Sequence, residues 1–131
     1  MLKGYLIMKV SEKNIEADIE NALRACLQRV PFLEIESMEK ELTVGDICID
    51  IVATVRIAEQ RQRLALEVKN SGQPRIARAA AYRLARLLER NPGLYGIFSA
   101  PYISPQSAEI CIQERIGYLD LRRFNSFGEA K

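Results

Sequence analysis

Three observations predict an α/β domain built on a mixed sheet. Two runs, "GDICIDIVATVRI" and "RLALEVK", alternate apolar and polar residues with the period of a strand, and a short polar stretch joins them. A strongly amphipathic run at 74–90 follows, with the period of a helix. After it come a short apolar run, a capped helical segment and another short apolar run, the order that crossover connections produce. The expected architecture is a three-stranded antiparallel meander extended by crossover helices into a mixed central sheet flanked by helices. At 131 residues the chain fits one domain. That domain is expected over residues 1–121, with 122–131 as a flexible tail.

The elements follow in order. Residues 11–29 read as a helix: Ser11 can cap, acids fill the first turn, and Ile15, Ile19, Ala22, Leu23 and Cys26 share one face. Pro31 blocks its continuation. "FLEIESMEKEL" sets Phe32, Glu34 and Glu36 against Leu33 and Ile35, as a strand would. In the next run Ile47, Ile49, Ile51, Ala53, Val55 and Ile57 are all apolar and are expected on one face. A hairpin turning on Gln60 and Arg61 places Thr54 opposite Glu67 and Val52 opposite Lys69. In that register Asp50 falls opposite Ser71 and diagonal to Lys69, while Asp46 falls beyond the strand, opposite Arg75. Asp50, Glu67 and Lys69 then share the face away from the isoleucines, and a one-residue slip would set charges against them. Pro74 suits a first helical position. From there Ile76, Ala80, Leu84, Leu87 and Leu88 form one arc and Arg75, Arg78, Arg83, Arg86 and Arg90 the other. "LYGIFSA" is a buried strand, Ser104 and Pro105 open a helix, and "YLDL" is a last short strand.

Charge is uneven along the chain. Residues 1–55 hold 6 basic and 10 acidic side chains; residues 56–131 hold 13 basic and 7 acidic. Between Arg61 and Arg90 there are 8 basic residues against 2 acidic, which points to an anionic partner at one face. Arginine outnumbers lysine 13 to 6, and its fork suits phosphate. Histidine is absent, which excludes histidine triads, histidine bases and zinc sites with histidine in this chain. Cys26, Cys48 and Cys111 sit in apolar periodic segments without a CxxC pair, and are expected as reduced core thiols of a cytoplasmic protein. No apolar run reaches the ~18 residues of a membrane helix, and "MLKGYLIMKV" is too short in its apolar part for a signal peptide.

The element order, with Asp50 and "Glu67-Val68-Lys69", resembles the PD-(D/E)xK nuclease superfamily, whose fold is called restriction-endonuclease-like. "APYISPQSAEICIQERIGYLDL" is similar to the C-terminal half of bacterial proteins of that superfamily. The resemblance implies that Asp50 and Glu67 bind Mg2+ (or Mn2+), helped by the Val68 carbonyl and by an acid of the first helix, Glu16 or Glu20. It implies Lys69 as the catalytic lysine and DNA, or another nucleic acid, as the partner. The proline that precedes the family's aspartate is replaced here by Ile49.

The chemistry agrees with those roles. Phosphodiester hydrolysis needs an activated water and a stabilised developing charge, and two carboxylates on neighbouring strands can hold a hard cation that serves both needs. A lysine one pleat away can steady the attacking oxygen. Arg75, Arg78, Arg83 and Arg86 are the candidate phosphate contacts, and Tyr82 lies among them. Acid-x-Lys alone is weak, since Glu129-Ala130-Lys131 repeats it; strand placement and the following basic helix give it weight. Asp46 is a reserve ligand and Asp120 fits a structural or a site role. The other readings are a silent nucleic-acid binder and a protein-interaction module whose charges are surface ion pairs. A homodimer is expected if both strands are cut.

Overall fold

The computed structural model describes the backbone of residues 2–122 and the side chains from Ile15 onward. The elements run α1 (Leu2–Gln28), β1 (Leu33–Val44), β2 (Ile47–Ile57), β3 (Gln60–Val68), α2 (Pro74–Arg90), β4 (Leu94–Ala100), α3 (Pro105–Gln113) and β5 (Gly117–Asp120). Five strands form one sheet in sequence order. β1, β2 and β3 are antiparallel neighbours; β4 and β5 join in parallel through α2 and α3. This is the mixed sheet flanked by helices that the patterning predicts. The tail expected over 122–131 lies outside the described residues except for Arg122, and so does the second acid-x-Lys. No described helix is long and apolar enough to cross a membrane.

The sheet is covered on both faces. Ile19, Leu23 and Leu27 of α1 pack on Ile51, Ala53, Val55, Leu64, Leu66 and Ile97. On the other face Ala77, Ala80, Ala81, Leu84 and Leu87 of α2, with Ala108 and Cys111 of α3, cover Val52, Ala65 and Phe98. Small alanines let α2 approach the sheet closely, and each fully buried Leu or Phe contributes roughly 1.5–3 kcal/mol. Beyond β3 the loop at Gly72 is pinned. Ser107 Oγ donates to the Gly72 carbonyl at 2.6 Å, and a Cβ on Gly72 would fall 2.1 Å from the Tyr102 carbonyl oxygen. Asp120 is fully buried and accepts the Ile103 N–H at 3.0 Å, so this contact serves the loop after β4.

Four expectations are corrected. α1 starts at Leu2, nine residues before Ser11. The β2–β3 turn lies at Ala58 and Glu59, with Ile57 paired to Gln60 and Ala58 at φ 57°. Gln60, Arg61 and Gln62 continue the ladder because a solvent-facing strand end tolerates polar residues, so polarity did not mark the turn. The register therefore shifts by four residues, an even number that preserves cross-strand parity, and Asp50 stands level with Glu67 instead of Ser71. The isoleucines do not share one face: Ile47 and Ile49 belong to the α2 side, while Ile51, Ala53 and Val55 belong to the α1 side. β2 changes face at Asp50, and β1 does the same at Glu41, which has φ 54°. Cys48, expected in the core, is exposed because it alternates with Ile47 and Ile49; Cys111 is buried and Cys26 half-buried.

Candidate functional site

The site forms where two strands part. The β2–β3 ladder stops at Ile51–Leu66, although β2 stays paired to β1 down to Ile47. One step past the last pair, the Asp50 carboxylate takes over as partner of β3 and accepts the Val68 N–H at 2.7 Å. β3 is held from its other side: Ser99 Oγ donates to the Glu67 carbonyl at 3.0 Å, and the Lys69 N–H donates to the Ser99 carbonyl at 2.9 Å. Asp50 therefore lies at the backbone between Glu67 and Lys69.

Two spaces meet at Asp50. A cleft of about 460 Å3 is lined by Ile15, Glu16, Glu41, Asp50, Val68, Lys69 and Asn70. On the α2 side a recess of about 10 Å3 is lined by Ile49, Asp50, Glu67, Arg83 and Leu84 among others. The recess has room for no more than a water, whereas the cleft can hold a hydrated ion and a phosphate. Glu67 is 7% exposed and belongs to the recess. Its Oε2 is 2.9 Å from Arg83 Nη1 and 3.3 Å from Lys69 Nζ. Lys69 lines the cleft and touches Glu67 as well.

Three acids face one another in the cleft, and the protonation of Glu16 reflects it. Its pKa is raised above the ordinary 4.5, first by burial, then by the charges of Asp50 and Glu41, with Lys40 opposing. Glu20 is drawn aside: it pairs with Lys40 at 3.0 Å and Arg24 at 3.3 Å, and its pKa is lowered, chiefly by the hydrogen bond with Lys40. Of the two α1 acids, Glu16 is the one in the cleft.

The structure thus brings together Asp50, Val68, Lys69 and Glu16, with Glu67 against Lys69 but turned to the recess. Asp46 lies in the β1–β2 turn beside Gly45. Arg83 does not stand clear on its helix; it binds Glu67. Arg75 and Arg78 are exposed on α2, and Arg86 donates to the Tyr82 hydroxyl at 3.0 Å. Glu41 escaped the sequence reading, although "VGD" signals a tight turn at Gly45 and Asp46, and that turn sets Glu41 opposite Asp50.

The donor set suits a hard divalent cation, since every candidate ligand is a carboxylate or carbonyl oxygen. Among the described residues, however, no three acids are gathered closely enough to hold an ion in this arrangement. Glu16, Glu41 and Asp50 line the cleft, while Glu67 lines the recess and is paired with Arg83 and Lys69.

No protein-family model matches the chain, and no curated protein matches it. Among solved structures the likeness is to EndoMS. EndoMS in complex with double-stranded DNA aligns with a TM-score of 0.51 and 15% identity, over 81% of this chain and 46% of that one. EndoMS in its apo form aligns with a TM-score of 0.47 and 16% identity, over 79% and 45%. The DNA-bound EndoMS alignment shows a shared fold, the restriction-endonuclease-like sheet with its flanking helices. The chain spans about half the length of EndoMS.

Proposed function

We propose that the chain is a divalent-metal-dependent nuclease that hydrolyses DNA phosphodiester bonds. The observation that carries this reading is the cleft where β2 leaves β3, which gathers Glu16, Asp50, the Val68 backbone and Lys69 beside Glu67. The fold it shares with EndoMS, a protein solved on double-stranded DNA, supports the reading. Asp50, Glu67 and the Val68 carbonyl would hold Mg2+ or Mn2+, with Glu16 as a further ligand. A bound cation of this kind lowers the pKa of water and neutralises phosphate charge. Lys69, at the cleft wall, donates hydrogen bonds to the attacking oxygen and offsets the charge that builds on the phosphate. Arg75, Arg78 and Arg86 place the backbone of the nucleic acid along α2. One such site cuts one strand, so cutting both calls for two copies of the chain.

A second reading has its own support. Glu67 is neutralised by two cations, which also describes a domain that binds DNA without cutting it. Plasmid incubation with Mg2+ or Mn2+ separates the two. The nuclease reading expects cutting that a chelator stops and that Asp50→Asn and Glu67→Gln each slow by roughly 10²-fold or more, with folding retained. Binding that falls steeply with salt, without cutting by the wild type, would leave the silent binder standing.

A further inference from the structure

Glu67 carries two cations on one oxygen, and they differ in kind. Lys69 lies two residues further along the chain, just past the end of β3, and lines the cleft. Arg83 comes from α2, on the recess side, and its side chain is 48% exposed. It shares its helix with exposed Arg75, Arg78 and Arg86. A guanidinium pairs equally well with a carboxylate and a phosphate, so Arg83 has two partners of like chemistry to choose between once DNA lies along α2. The carboxylate it holds lines the recess and not the cleft.

We propose that Arg83 is a positioning residue that couples DNA binding to cation binding. Without DNA its guanidinium keeps Glu67 in the recess; a DNA phosphate draws the guanidinium away and releases Glu67 to the cleft. The inference rests on the metal-dependent reading above and adds an order of events: the cation binds well only after DNA. Linkage then requires the reverse effect of equal size, with the cation tightening DNA binding. Couplings of this kind typically amount to about 5–150-fold in affinity. Arg83 would differ from the other arginines of α2, whose loss weakens DNA binding but leaves the cation site alone.

The test is calorimetric titration of the full chain with Ca2+, an oxygen-seeking ion, with and without a short DNA duplex. The wild type is expected to bind Ca2+ about tenfold more tightly or better with duplex present. Arg83→Gln is expected to bind Ca2+ more tightly than the wild type without DNA, and to lose most of the dependence on duplex. A merely structural Arg83 gives the opposite sign, because loosening Glu67 would weaken the ion. The wild-type comparison needs no variant and overturns the proposal by itself if the two affinities are equal. Asp50→Asn separates the possible failures. If it loses Ca2+ while Arg83→Gln binds no more tightly, the coupling falls and the metal site stands. If Asp50→Asn binds Ca2+ as the wild type does, the metal reading falls and takes the coupling with it.

Discussion

Glu16 shows how one residue bears on stability and function in opposite directions. Asp50 and Glu41 crowd it, and burial adds to their effect in raising its pKa above 4.5. A raised carboxyl favours the fold while protonated. That contribution is full below the unfolded value near 4.5 and is lost as pH rises through the raised value. Glu16→Gln, which cannot ionise, is therefore expected to melt at a higher temperature than the wild type at neutral pH. The difference should close as the pH falls below 4.5, in thermal melts across the acidic range without metal. If Glu16 is a ligand, the same variant weakens cation binding, a trade often seen at sites that store repulsion. At this scale the sequence was readable where parity alone decides, as with Glu67 and Lys69. It was silent on Arg83, because nothing in a helical arc says which of its arginines reaches a carboxylate on the strand beneath.

Among the elements, α2 was the most legible and the β2–β3 hairpin the least. Pro74 opens α2 and its apolar arc is the buried one, so the 17-residue helix follows from periodicity. The hairpin offered no glycine or asparagine at its tip, and its turn fell two residues early. Cross-strand parity survived because the shift was even; the level of Asp50 did not, and Glu67 took the place given to Ser71. The change of face in β2 was hidden for a different reason. An unbroken set of isoleucines satisfies either core, so their identity cannot reveal that the strand turns over at Asp50. Element-level DNA binding can be tested on α2 itself. Arg78 is exposed and belongs to neither lining of the Asp50 site. Arg78→Ala is expected to weaken binding to all DNA sequences alike and to reduce the slope of log affinity against log salt by about 0.9, the loss of one phosphate contact. Fluorescence anisotropy with a labelled duplex over a salt series measures both effects.

Across the whole molecule the two charge populations seen in the sequence meet at the β1 edge, where Arg56 pairs with Glu34 and Glu36, and Arg61 pairs with Glu36. Four of the ten acids of the first half lie on β1, the edge strand, where Glu34 and Glu36 are held by those arginines and Glu39 and Glu41 are exposed. Five arginines of the second half ride on α2, which packs against β4 and α3. β1 and β4 are three strand steps apart, roughly 14 Å at the usual spacing. A polyanion approaching α2 would be attracted there and repelled from Glu39 and Glu41 at the β1 edge. The repulsion is long-ranged, so ionic strength sets whether it is felt: the screening length is about 8 Å at 0.15 M salt and about 30 Å at 0.01 M. Glu39 is exposed on that edge and lines neither space around Asp50, which makes it a clean probe. Glu39→Lys is expected to raise the association rate with duplex DNA by about two- to tenfold at low salt and to leave it nearly unchanged at 0.15 M. Dissociation should stay the same at both, because no contact with bound DNA is altered. Stopped-flow association at the two ionic strengths checks this, and a rate that does not respond at low salt would mean that DNA does not approach by the α2 face.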